Sequence, residues 1–190
     1  LSPTQFGIFT FAVLITAFCS YFATVGILEG LSNKIPIMIG RGEETIKSRS
    51  SGFFGALITS IIFGLPIFIL FSFLGQEEHS ISLFIYLSVF FVTTVFLSAT
   101  MVDLQVRELS IQYAIILCLK NILGPILAIL ISQNNIAEEI LLAEILGMIS
   151  CILICLKLWC RDLNIKYFSF KKAWPFAPVG LPFALNQFLL

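Results

Sequence analysis

Charge is what this chain has least of: 12% of its 190 residues are Asp, Glu, Lys or Arg, against 58% hydrophobic residues. With a mean hydropathy of +1.02, that composition excludes an ordinary soluble domain. A single histidine, His79, leaves no basis for a histidine metal site or a Ser/His/Asp triad. The chain also has no glycine-rich phosphate loop or nucleotide motif, so nothing supports an ATP-driven pump. Eleven basic residues balance eleven acidic ones, and no basic stripe interleaves with base-stacking aromatics, which argues against nucleic acid as a partner. Cysteine is present but unpromising. Cys19, Cys118, Cys151 and Cys155 lie in apolar runs and Cys160 follows one. Cys151 and Cys155 share a helix face without a third ligand, so all five read as buried, inert thiols rather than a metal or redox site.

What is present is long apolar runs, enough for five complete spans of ~20 residues and the start of a sixth. Basic connections alternate with connections that have no Lys or Arg. Lys34, Arg41, Lys47 and Arg49 fall in the first basic group, Arg107 in the second, and Lys157, Arg161, Lys166, Lys171 and Lys172 in the third. The intervening loops, 76–79 and 133–139, hold none. Positive charge marks the cytoplasmic side, so the chain is expected to start outside and end inside. Lys120 alone falls outside this pattern.

The expected spans are 6–39 with a break, 52–74, 81–102, 109–132 and 139–159. Leu1 to Gln5 reads as a turn leading into the first span, and Gly26, Gly30 and Pro36 offer places for its break. Residues 40–51 read as a polar connection. Gly64, Leu65 and Pro66 predict a kink within the second span. Ser80 can cap the third span, and 103–108 reads as a short turn. Asn135 with Glu138 has capping-box spacing, and Glu138 and Glu139 suit the N-terminal dipole of the fifth span. Residues 161–176 mix Lys166, Lys171 and Lys172 with Tyr167, Phe168, Phe170 and Trp174. That mixture fits a segment lying on the membrane surface, and it also fits a solvated linker, given Pro175 and Pro178. The chain opens without Met and ends at Leu190 inside an apolar run only just begun, so a fragment with helices missing at both ends is expected.

Lys120 is the leading candidate site residue. It lies about eleven residues from either end of its span, too deep to snorkel easily at ~1.5 Å per residue. A cation there costs at least ~2.5–3.5 kcal/mol and must face protein or a watery cavity. Pro125 withholds the amide that would bond the carbonyl of Asn121, so Lys120, Asn121, Gly124 and Pro125 form one polar break. The group reads as a cationic site for an anionic substrate or part of a proton relay; it also reads as a lysine paired with a carboxylate on another helix. Glu29, with Asn33 one turn on, reads either as a cavity-lining carboxylate or as one at headgroup level. Glu144 is expected to reach interfacial water. Asp103, Arg107 and Glu108 read as a solvated turn more readily than as an inner gate. Gly26, Gly30, Gly64, Pro66, Gly124 and Pro125 are the expected bending points.

The opening Leu1-Ser-Pro-Thr-Gln-Phe-Gly-Ile-Phe-Thr-Phe-Ala12 resembles the loop and second helix of polysaccharide and O-antigen flippases. These belong to the multidrug/oligosaccharidyl-lipid/polysaccharide exporter superfamily. Phe168-Ser-Phe-Lys-Lys-Ala173, followed by Gly180-Leu-Pro-Phe-Ala-Leu185, is similar to that family's basic linker and the opening of its seventh helix. Five spans separate the two landmarks, as helices two to six would. Ser2 departs from the glycine common at its position, and Pro175 and Pro178 interrupt the run before the last helix. The resemblance implies an all-α, polytopic transmembrane bundle. Residues 1–176 would be most of the first six-helix lobe of a two-lobe transporter, and 177–190 the start of the second.

The resemblance also implies a substrate, an undecaprenyl-pyrophosphate-linked oligosaccharide flipped by alternating access in a bacterial or archaeal cytoplasmic membrane. Membrane lipids, and a polysaccharide polymerase or assembly proteins, would be its partners. No cofactor is expected, and the coupling ion, H+ or Na+, stays open. The alternative on the same fold is a cation-coupled multidrug or metabolite antiporter, for which Glu29 and Glu144 are the available carboxylates. A membrane-embedded polymerase or glycosyltransferase is disfavoured, because the two outer loops are only ~7 residues each.

Overall fold

The computed structural model describes residues 2–74, 81–132 and 136–189, and among them the chain is an all-α bundle without strands. The opening peptide is not a turn before the first helix but its beginning. Ser2 holds an extended conformation and its Oγ accepts a bond from the Gln5 amide at 3.3 Å, while Pro3 occupies the first helical turn, where its missing N–H is no loss. Helix α1 (Pro3–Ala23) then stops at a three-residue break. Val25 and Gly26 adopt left-handed φ values of 50° and 74°, and α2 (Ile27–Gly40) starts in a new direction. The expected break is therefore at Gly26, and α2 runs on through both Gly30 and Pro36.

The polar connection after α2 is shorter than expected. Helix α3 (Ile46–Thr59) begins well before residue 52, because Arg49, Ser50 and Ser51 are buried on its surface rather than solvated. It passes directly into a π-helical turn, Ser60–Gly64, and then α4 (Leu65–Leu74). The Leu65 amide bonds back to the Ser60 carbonyl, a five-residue step just before Pro66. The wide turn is how the chain accommodates the proline that cannot donate.

Helix α5 (Ile81–Val106) extends a full turn past the expected 102, so Asp103 is a buried helical residue and not part of a turn. Helix α6 (Ser110–Ile131) and α7 (Ala137–Leu158) follow. The cap of α7 comes from a distance: Gln5 Oε1 accepts the Ala137 amide at 2.8 Å. Glu138 accepts a bond from Ser82 Oγ at 2.7 Å. Ser80, His79 and Asn135 lie outside the described residues. Residues 161–176 form no continuous helix; a 3-10 turn (Ile165–Tyr167), α8 (Phe170–Ala173) and a second 3-10 turn (Trp174–Phe176) lead into α9 (Ala177–Leu189).

Among the described residues, four single helical stretches are long and apolar enough to cross a membrane: Pro3–Ser20, Ile81–Val106, Ser110–Ile131 and Ala137–Leu158. The α3–π–α4 path covers the remaining expected span as a divided helix. The outer surface is correspondingly greasy. Helix α6 buries only Ile116 and Gly124, and Ile129 is 81% exposed. Such a face suits lipid, which makes no hydrophobic demand on it.

Inside, contact depends on small residues. A Cβ on Gly180 would lie 1.8 Å from the Gly26 carbonyl oxygen, and one on Gly30 would lie 2.1 Å from the Phe176 oxygen. The Gly26–Gly30 spacing thus lets α9 press on the α2 backbone, as small residues do between membrane helices. Gly64 similarly meets Ala23 and the Phe91 ring, which stacks on Phe68 at 4.8 Å.

Candidate functional site

The alternation of charge along the sequence becomes two physical ends. At one, the starts of α1, α5 and α7 are joined by the Gln5–Ala137 and Ser82–Glu138 bonds. At the other, the three basic connections converge. Lys34 Nζ donates to the Pro175 carbonyl at 2.9 Å and lies 5.8 Å from the Phe176 ring centre, fixing the 161–176 segment to α2. Ser51 Oγ donates to the Tyr167 carbonyl at 2.9 Å and accepts from the Ser169 amide at 3.2 Å, fixing the same segment to α3. Ile165, Tyr167, Phe170 and Trp174 remain exposed on its outer side.

At the centre of the basic end is an ion network that takes in Asp103 and Arg107, both expected in a solvated turn, together with Arg49 and Asp162. Arg49, 5% exposed, grips Asp103, 4% exposed, through two bonds of 2.9 Å from Nε and Nη2. Its third nitrogen, Nη1, donates to Asp162 Oδ2 at 2.8 Å. Arg107 completes the group, 3.4 Å from Asp162 and 3.7 Å from Asp103, and also donates to the Trp159 carbonyl. Two cations and two carboxylates neutralise one another, and together they lock α3, α5 and the segment after α7. Burial alone would push the Arg49 guanidinium down, but Asp103 and Asp162 outweigh it and hold it above its ordinary value. Burial likewise works to raise the Asp162 carboxyl, yet the Arg49 bond and the charges of Arg49 and Arg107 bring it below 3.8.

The network reaches a thiol pair. Cys160 donates to Asp103 Oδ2 at 3.3 Å and lies 3.6 Å from Cys155. Its bond to Cys155, burial and the neighbouring Asp103 all push the Cys160 thiol up, which keeps it a protonated donor. Cys19 and Cys151 are buried as expected, whereas Cys118 is exposed on α6. Neither Arg49 nor Asp162 stands out in the sequence as a site residue. One signal was available: Asp162 is the only acidic residue between Lys157 and Lys172.

Lys120 stands half-buried in the middle of α6, and Asn121 beside it is exposed on the outer side of that helix. Helix α6 is unbroken through Gly124 and Pro125. Glu144 does not turn outward. Its carboxylate fills the space over Gly124, where a Cβ would lie 2.5 Å from either oxygen. Lys120 acts electrostatically on Glu144 across the α6–α7 contact, without an ion pair inside 4.0 Å.

Glu29 is elsewhere, at the start of α2. It lines a cavity of about 120 Å³ with Ser20, Thr24 and Ser98 and the apolar Leu28, Val95 and Val102, between α1, α2 and α5. Asn33 does not join it: that side chain is exposed and donates to the Glu29 backbone carbonyl at 2.8 Å. The structure therefore keeps Lys120 and Glu29 in separate places. Among the described residues, no group of three or more His, Cys, Asp or Glu side chains forms a metal centre. No family model, curated protein or solved structure matches this chain.

Proposed function

We propose that this chain is part of a membrane transporter that flips an undecaprenyl-pyrophosphate-linked oligosaccharide across a bacterial or archaeal cytoplasmic membrane by alternating access, for O-antigen, capsule or other polysaccharide export. The observation that carries the reading is Lys120. An ammonium in mid-membrane costs at least ~2.5–3.5 kcal/mol. Among the described residues, Lys120 makes neither a hydrogen bond nor an ion pair. Its charge is available to an anionic group, and a lipid-linked diphosphate is such a group. The order of flippase-like landmarks from Leu1 to Leu185 supplies the identity of the cargo, and the basic end is taken as cytoplasmic.

The nearby carboxylate of Glu144 sets a competing role for Lys120, that of a packing counter-ion. The two roles separate in an export assay with matched membrane expression. Lys120→Ala is expected to abolish export, and adding Glu144→Gln is expected not to restore it. Export restored by the second change would reduce Lys120 to a counter-ion and remove the support for an anionic cargo. A second reading, a cation-coupled drug or metabolite antiporter of the same fold, draws support from the Glu29 cavity. It predicts drug resistance on expression and indifference to Lys120→Ala.

A further inference from the structure

Residues 161–176 carry more positive charge than anything beside them answers. Arg161, Lys166, Lys171 and Lys172 lie in this stretch, and residues 163–190 contain no Asp or Glu. Asp162, the one acid in the stretch, is already taken by Arg49 and Arg107. Among the described residues, the ammonium groups of Lys166, Lys171 and Lys172 make no ion pair and no hydrogen bond, and all three residues are exposed. Apolar rings stand beside these cations. Phe170 and Trp174, each about half exposed, stack at 5.6 Å with their planes 26° apart. An i, i+4 pair shares one side of a helical turn, while Ala173, fully buried against Gly55, takes the side toward the bundle. Ile165 and Tyr167 are exposed in the preceding 3-10 turn. A contiguous apolar patch rimmed by cations marks an interaction surface, and aromatics with lysines are what a bilayer interface accepts.

The depth suits headgroups. Helix α7 ends at Leu158 after 22 residues, and ~33 Å of helix is enough to cross the hydrocarbon core. The chain therefore leaves that core where this segment begins. The segment is also held in place before any lipid binds. Ser51 and Lys34 hold its backbone at Tyr167, Ser169 and Pro175, and the Phe176 carbonyl sits over Gly30. A solvated linker, the other way to read this composition, has no need of such fastening. A preformed binding face does, because a fastened backbone loses little freedom on binding.

We propose that the outward side of residues 165–174 is a docking surface for anionic phospholipid headgroups, with Lys166, Lys171 and Lys172 against phosphate and the Phe170–Trp174 stack at the acyl boundary. The bilayer is the partner, rather than an acidic protein, because rings and unpaired cations occur together where the chain leaves the hydrocarbon core. Lipid docking does not depend on the transporter reading. Trp159→Phe leaves Trp174 as the sole tryptophan. That protein is reconstituted in mixed phosphatidylcholine and phosphatidylglycerol bilayers, with brominated acyl chains on one lipid at a time. Brominated chains quench a tryptophan only at close range, so the two series give the relative occupancy of the lipids at Trp174. Each lysine near the surface raises affinity for an anionic membrane about fivefold, so three should favour phosphatidylglycerol by well over that factor. Lys166→Gln, Lys171→Gln and Lys172→Gln combined should cut the preference to about twofold or less. Brominated phosphatidylcholine should still quench Trp174 in this variant, with helicity unchanged. Equal quenching by the two lipids before the lysines are changed, or a preference surviving the triple change, would overturn the surface. Absence of quenching by either lipid would overturn it too, and an oligoglutamate peptide that then shifts Trp174 emission would assign the surface to an acidic protein instead.

Discussion

Removing Arg49 leaves Asp103 buried at 4% exposure with its principal partner gone. What remains near it is Arg107 at 3.7 Å and the weak Cys160 thiol donor at 3.3 Å. Breaking a buried pair by deleting one member costs about 3–5 kcal/mol, because the other charge stays desolvated. Replacing both members with apolar groups of similar size is often neutral. Arg49→Met is thus expected to destabilise by about 3–5 kcal/mol, and Arg49→Met with Asp103→Leu by much less. At roughly 2–4 °C per kcal/mol for a chain of this size, the single change lowers Tm by about 6–20 °C. Thermal unfolding in detergent, with Asp103→Leu to complete the cycle, measures the coupling. Arg49→Lys is informative as well. An ammonium cannot reproduce the fork that holds Asp103 twice and Asp162 once, so it should recover only part of the loss. Additive single changes, or an Arg49→Met Tm within a degree of wild type, would refute the claim that this network fastens the basic end.

Asp162 makes the same network sensitive to acid. Its native carboxyl lies below its ordinary 3.8, so its contribution is complete above that value and is lost as pH falls through the lowered native one. Asp162→Asn should flatten the loss of Tm on acidification below about pH 4, measured as Tm against pH. Gly180→Ala would set a Cβ 1.8 Å from the Gly26 carbonyl, and since both atoms belong to backbones α9 must move away from α2. Overpacking of this kind costs about 1–3 kcal/mol or more; a cysteine pair placed across α2 and α9 should lose its cross-linking, and unchanged cross-linking would contradict the packing. Gly124→Ala should displace the Glu144 carboxylate, whose oxygens lie 2.5 Å from the added Cβ, and should lower Tm more than Gly7→Ala, which meets nothing within 4 Å.

Apolar run length alone locates the helices, because α5, α6 and α7 are each long enough to cross and are separated by short polar connections. Their ends are less legible. Charge at 103 and 49 reads as solvent exposure when each residue is considered singly. Only pairing across α3 and α5 makes it cheaper to extend both helices inward than to leave the charges in a loop. Gln5 shows the same limit from the other side: no local pattern reveals that a glutamine on α1 will cap α7. Lys120 is conspicuous because a cation interrupts an apolar run. The Glu29 cavity is half legible. The carboxylate stands out, but Thr24, Ser20 and Ser98 are ordinary helix hydroxyls until the break at Gly26 brings two of them together beside it and α5 adds the third.

Two irregularities of the backbone meet in one place. Ala23 is the last residue of α1 before its break, and Gly64 closes the π turn between α3 and α4; a Cβ on Gly64 would lie 2.4 Å from that of Ala23. The break and the π turn therefore bear on each other, with the Phe91 ring of α5 against Gly64. Below them Arg49 and Asp103 tie α3 to α5, so these helices cannot slide independently at the basic end. On the transporter reading, bending within this bundle falls to the layer of Ala23, Gly26 and Gly64, above a fastened base. Thr24 lies in that same layer, one residue past Ala23, and is buried there at 2% exposure.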